Sequence, residues 1–112
     1  MYQLIANAAD TAANELGFPG VSMKLLSGDG EGGGLYVLTT MGPGSKIPAH
    51  SHTGANEFVY VLSGDFVEGG KSYGPGSFFF GLAGTTHGPH TSQAGCSVLT
   101  HYSAPLDFVS AT

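Results

Sequence analysis

The sequence predicts an all-β domain, a sandwich or barrel, and three observations carry that expectation. About eight short runs rich in aromatic and β-branched residues recur at regular spacing, the pattern of a many-stranded β fold. The 19 glycines and 6 prolines between them make turns frequent. Charged residues are only 10% of the chain, which favours tight β structure over solvent-facing helices. At 112 residues the chain is long enough to bury one core without disulfides.

Residues 1–20 read as an N-terminal arm and residues 21–112 as the β-barrel domain. In the arm, the stretch from Ala8 to Leu16 permits a helical turn or two before Gly17-Phe18-Pro19-Gly20 ends it. Such an arm would pack on the barrel or on a neighbouring subunit. Val21–Leu26 reads as the first strand, and the glycine-dense stretch Ser27–Gly34 as a flexible hairpin tip. Its glycines lack the Lys-Ser/Thr ending and the following helix of a phosphate-binding loop. Leu35–Met41 is the next strand, and Lys46–His52 follows a Gly-Pro-Gly turn. Phe58–Leu62 is a strand, Gly64–Glu68 the return strand of a hairpin closed by Gly69-Gly70-Lys71, and Ser77–Phe80 a strand after the turn Ser72–Gly76. Ser97–Tyr102 closes the domain.

Chemistry concentrates between residues 44 and 64. His50 and His52 are one residue apart, so in an extended chain both imidazoles point to one face. The turn Thr53-Gly54-Ala55-Asn56 can fold the chain back so that Glu57 faces the same space. If Glu57 points inward, Val59 and Val61 follow it, and Phe58, Tyr60 and Leu62 face outward. A third histidine, His87, lies downstream in Gly84-Thr85-Thr86-His87. Imidazoles and a carboxylate converging on one point suit a divalent ion such as Zn, Fe, Mn, Ni or Cu. His90 could reach the site as a hydrogen-bonding group behind the ligands, while His101 is read as a packed or surface residue. Phe78, Phe79 and Phe80 are expected to be mostly core.

Composition excludes several classes. A net charge of −5 and three scattered lysines, at 24, 46 and 71, leave no basic patch for nucleic acid. No apolar run approaches the ~20 residues that span a bilayer, and the first residues lack the features of a signal peptide. Cys96 is the only cysteine; it reads as a buried, inert thiol and fits a reducing cytoplasm. The chain has no arginine to clamp a carboxylate substrate in two-point fashion, so a neutral or metal-chelated small molecule is the expected ligand. Apolar residues on both faces of Phe58–Leu62 point to a homodimer.

Gly44, His50, His52, Glu57 and Gly64 together resemble the first of the two motifs of the cupin superfamily. Gly76, Gly84 and His87 resemble the second, with Leu82 where proline is usual and Thr91 where asparagine is usual. The resemblance implies a jelly-roll, or double-stranded β-helix, with the site in the barrel mouth. From Val21 to Val109 the chain further resembles the group that includes ChrR-type cupin domains and acetylacetone-cleaving dioxygenases. The matching features are Pro19-Gly20-Val21, Pro43 to His52, Tyr73 to Gly76, Gly84 to His87, Gly95-Cys96 and Ala104 to Phe108.

In the dioxygenase branch the resemblance implies Fe(II) held by His50, His52 and His87, with Glu57 either a fourth ligand or a nearby catalytic acceptor. In the ChrR branch it implies zinc and regulation of a sigma factor through an attached helical domain, which is not visible in this sequence. A cupin isomerase, lyase or sugar-binding protein is the third reading. For the enzyme, a metal with open positions would polarise a small diketone or hydroxyketone, and the protein would orient it and exclude water.

Overall fold

The computed structural model describes residues 1–28 and 34–111, so the expected hairpin tip at 27–34 lies largely outside the described residues. Twelve strands follow one short 3-10 turn, Ala8–Asp10. They are β1 (Asn14–Glu15), β2 (Val21–Ser27), β3 (Leu35–Met41), β4 (Lys46–Ile47), β5 (His50–Ser51) and β6 (Glu57–Gly64). They continue as β7 (Phe66–Glu68), β8 (Lys71–Tyr73), β9 (Phe78–Gly81), β10 (His90–Thr91), β11 (Cys96–Tyr102) and β12 (Val109–Ser110). The expected all-β jelly roll is what the chain adopts. Every pairing is antiparallel. One sheet runs β1-β2-β3-β11-β6-β9, a second β4-β10-β7-β8, and β12 pairs with β5.

The arm differs from the helical expectation. Its helical part is the single turn Ala8–Asp10, capped by the Asn7 side chain, and Asn14–Glu15 then pairs with Met23–Ser22 at the sheet edge. An unpaired β2 edge offers backbone partners that an isolated turn lacks, and this outweighs the weak helical propensity of so short a segment. The Gly64 side of the expected hairpin also resolves differently. The strand after Gly64 pairs with β8 and β10, not with β6, so the chain crosses from one sheet to the other there. Gly64 has φ +78°, and a side chain on it would run into the carbonyl of Gly95, so the crossing needs glycine.

Alternation along β6 is regular: Glu57, Val59 and Val61 are buried, Tyr60 and Leu62 exposed, and Phe58 half-buried. On β11 the buried set is Cys96, Val98, Thr100 and Tyr102. Val59, Val61, Cys96 and Val98 join Val21, Met41, Ile47 and Phe66 to make the main core, and Met23, Val37, Ala55 and Tyr102 form a second cluster. Cys96 is buried as expected, and burial raises its thiol above the usual range, which keeps it inert.

The expectation that Phe78–Phe80 are mostly core needs correction. Phe78 and Phe80 are each 62% exposed, because β9 is an edge strand and none of the described residues covers the two rings. Two rows of side chains cross that face. One runs Tyr36, His101, Phe58, Phe80, and the other Leu38, Leu99, Tyr60, Phe78. His101 is packed between the rings of Tyr36 and Phe58, at centroid distances of 4.5 and 5.3 Å.

Met41 is the largest fully buried side chain, 1% exposed at the join between sheet and core. Met41→Ala should therefore cost about 2–5 kcal/mol of unfolding free energy by the transfer and cavity terms of a large-to-small change. A denaturant midpoint shift at unchanged slope would register it.

Candidate metal centre

Backbone pairing builds the centre before any side chain is considered. His50 and His87 exchange both backbone hydrogen bonds, each 2.9 Å, which joins the two distant segments as a short antiparallel bridge. The Gly84 amide donates to the His52 carbonyl at 2.8 Å, and the Ala83 amide to Asn56 Oδ1 at 2.9 Å. The loop carrying His87 is thus fastened along the segment carrying His50 and His52. Glu57 enters from β6, opposite Tyr102 on β11 and Gly81 on β9.

The structure brings together all four residues singled out from the sequence. His87 Nε2 lies 3.1 Å from His50 Nε2 and 3.3 Å from His52 Nε2. Glu57 Oε1 is 3.3 Å from His87 Nε2, and Oε2 is 3.5 Å from His52 Nε2. His50 Nδ1 donates to the Pro48 carbonyl at 2.7 Å, and His52 Nδ1 to the Asp107 carbonyl at 2.6 Å. A carbonyl only accepts, so both Nδ1 atoms carry the proton in the neutral rings and both Nε2 lone pairs point inward. Nitrogens this close need a proton or a cation among them. Two ligands about 2.1 Å from one ion stand about 3.0 Å apart at a right angle and about 3.4 Å apart at the tetrahedral angle. The three contacts to His87 fall in that range and the His52–Glu57 contact of 3.5 Å lies just above it, so His52, Glu57 and His87 fit a divalent ion, with His50 brought to the group through His87.

Electrostatics agree with that fit. Burial lowers the pKa of His50 and of His87, which keeps them neutral and able to coordinate. Burial also acts to lower His52, but hydrogen bonding to Glu57 and to the Asp107 carbonyl outweighs it, and its pKa ends raised. For Glu57, burial pushes the carboxyl up, and the His52 hydrogen bond and the His87 charge pull it below the usual carboxylate range. Glu57 is therefore an anion at neutral pH. Tyr102, 3% exposed, is hydrogen-bonded to Glu57, and burial followed by the Glu57 charge raises its phenol well above the usual value.

Sequence reading did not single out several residues that shape the site. Phe108 closes one side, its ring 5.0 Å from His50 and 5.1 Å from His52. Asp107 fixes His52 through its carbonyl and holds the Thr53 amide with its carboxylate at 2.8 Å. His90, which the sequence did offer as a group behind the ligands, stacks on Phe66 at 4.8 Å, and burial lowers its pKa to about 4. Glu68 accepts from the Gly88 amide and lies 2.9 Å from His90 Nδ1. The one sequence signal for this group is the spacing of His87 and His90.

Three spaces adjoin the centre, one of them, of about 220 Å³, on the outer side of His50 and Phe108 beside Phe18 and Pro48. A cleft of about 180 Å³ is lined by Glu57, Val59, Phe66, Phe79, His87 and His90. A smaller cavity of about 30 Å³ lies further into the barrel beside His50, Glu57 and Tyr102. The Thr39 hydroxyl, on a residue lining that cavity, has no hydrogen-bond partner among the described residues. A space of this size suits one water.

Comparisons with known proteins bear on the fold and the family. An acetylacetone dioxygenase from Acinetobacter johnsonii superposes with a TM-score of 0.76 at 18% identity, over 99% of this chain and 79% of the other. The polyketide cyclase RemF from Streptomyces resistomycificus gives 0.77 at 18% identity, over 99% and 87%. The complex of Rhodobacter sphaeroides SigE with the anti-sigma ChrR gives 0.69 at 24% identity over 85% of this chain, which spans 50% of the chain it matches there. No curated protein sequence matches. The family model described as the ChrR cupin-like domain matches residues 3–105, nearly the whole chain. With the jelly roll and both histidine-bearing motifs in place, the chain belongs to the ChrR cupin-like family of the cupin superfamily.

Proposed function

We propose that the protein is a metal-dependent cupin that holds one divalent ion, iron(II) foremost, with His50, His52, His87 and Glu57, and acts as a dioxygenase on a small diketone or hydroxyketone. The observation that carries this reading is the convergence of three imidazoles and one carboxylate beside a small apolar cleft. When bound, the ion would supply Lewis acidity and the redox step with dioxygen.

The chain's own residues set what can enter. Val59, Phe66 and Phe79 make the cleft walls apolar, and Glu57 and Glu68 are its carboxylates. A substrate carrying its own carboxylate would meet repulsion there, and no arginine offsets it. A neutral diketone of a few carbons suits a cleft of about 180 Å³. Phe108 and the Asp107 carbonyl hold the two histidines of the first motif in orientation and shield them from water on the opposite side. Glu57, fixed by Tyr102, is placed to balance the ion's charge or to hold a proton near the substrate.

The second reading is a regulatory module that binds zinc, and the family match and the ChrR likeness favour it. Protein loaded anaerobically with Fe(II) should take up oxygen in proportion to an added small diketone such as acetylacetone. Tight zinc binding with no oxygen uptake for any small diketone would favour the regulatory reading, and conversion without oxygen demand an isomerase or lyase. His52→Ala should strip most of the bound metal after dialysis, because the remaining ligands lose both a nitrogen and the partner of Glu57. Tyr102→Phe should weaken binding by about 10–100-fold, the usual cost of losing a group that orients a ligand. Elemental analysis of each variant reads both effects.

The assembly we propose is a cytoplasmic homodimer. Leu62, Phe78 and Phe80 are 48%, 62% and 62% exposed on one face of the six-stranded sheet, an apolar surface of the kind that marks an interaction site. In the arm, Tyr2 and Ile5 are 81% and 86% exposed, with no partner on their own barrel to cover them. A second copy would cover both surfaces. Light scattering at tens of micromolar should give twice the chain mass. Phe78→Asp, or deletion of residues 1–9, should shift it toward monomer while metal binding persists.

A further inference from the structure

The two histidines of the first motif share a local device: Nδ1 is turned to a fixed acceptor, at 2.7 Å for His50 and 2.6 Å for His52, leaving the other nitrogen free. His90 repeats it. Its Nδ1 is turned to the Glu68 carboxylate at 2.9 Å, and Glu68 is itself held by the Gly88 amide. A carboxylate behind an imidazole is the commonest way proteins orient a metal-binding histidine. The ring is 8% exposed and stacked on Phe66, so its position is fixed by packing.

A nitrogen of His90 also lies within 4.8 Å of the ligand nitrogens of His50 and His87, as His52, Glu57 and His87 do among themselves. Ligands on opposite sides of one ion stand about 4.2 Å apart, twice the usual metal–nitrogen length, so small ring movements bring His90 into reach. The Nδ1–Glu68 contact lacks the alignment of a hydrogen bond, which leaves that buried nitrogen without a hydrogen-bond partner among the described residues. Such a group is costly, and coordination through the other ring nitrogen would draw the Nδ1 proton toward Glu68 and relieve it.

We propose that the centre has a second coordination state, in which His90 joins His50 and His87 on the ion and Glu57 is released. This rests on the metal-centre reading above. The exchange replaces an anionic ligand with a neutral imidazole, which leaves the ion more positive and a better Lewis acid. It also favours ions that prefer nitrogen, such as copper and nickel, over those that prefer oxygen.

Copper(II) is the probe, with pulsed paramagnetic resonance counting coordinated imidazoles and titration giving affinity. The wild-type chain should bind one ion. Glu57→Gln should keep it and gain one imidazole over the three of the primary set. Adding His90→Gln to that variant should weaken copper at least about 10-fold and return the imidazole count to three. A Glu57→Gln protein with only three coordinated imidazoles, or a double variant that binds as the single one does, overturns the proposal and leaves the primary centre standing. The imidazole count in Glu57→Gln decides the matter even if His90→Gln fails to fold. A wild-type chain that takes up no copper overturns the primary centre and the second state together.

Discussion

The paired backbone hydrogen bonds between His50 and His87 are the constraint on which the rest of the site depends. They join segments 37 residues apart in sequence and set the two ligand side chains on the same side of one ladder. Without that bridge, the alternation that aligns His50 with His52 would place only two imidazoles together. The Gly84 and Ala83 amide contacts extend the same fastening from His50 toward Asn56, so the ligand loop is held at three points by the segment it must match. The barrel supplies the geometry, and the ion would enter a site whose spacing the backbone has already set.

That preorganisation carries an electrostatic cost. His50, His52 and Glu57 gather about His87 through contacts of 3.1 to 3.3 Å, with His52 1% and Glu57 9% exposed. Burial disfavours the imidazolium form of His50, His87 and His90, so the cluster does not relieve its crowding by taking up several protons. A divalent cation meets four donors at once and offsets the buried carboxylate. The low surface charge of the chain and the apolar cleft walls extend the same logic outward: the centre is the main concentration of charge and polarity that a small molecule would meet on entering.

The sequence revealed most of the site because its key information is local. The His50–His52 spacing, the turn before Glu57 and the inward parity of Val59 and Val61 all follow from the two-residue period of a strand. What stayed hidden is long-range. The Asp107 carbonyl that fixes His52 is 55 residues away, and Phe108 reaches the site only because β12 pairs with β5. The Glu68–His90 contact depends on β7 lying next to β10, a pairing of strands distant in sequence that no periodicity encodes. Phe78 and Phe80 misled for a related reason: hydrophobicity marks a strand but not which sheet edge it occupies, nor whether anything lies over it. In the arm one helical turn forms within the stretch read as helical, while the pairing of Asn14–Glu15 stayed hidden, since an open β2 edge is visible only once the sheet is assembled.

X-ray absorption at the metal edge of protein saturated with a single ion species tests the convergence most directly. Four protein ligands, three of them imidazoles, at about 2.0–2.2 Å from one ion are predicted. A first shell made only of water oxygens and at most one imidazole, in protein whose fold is intact, would contradict it.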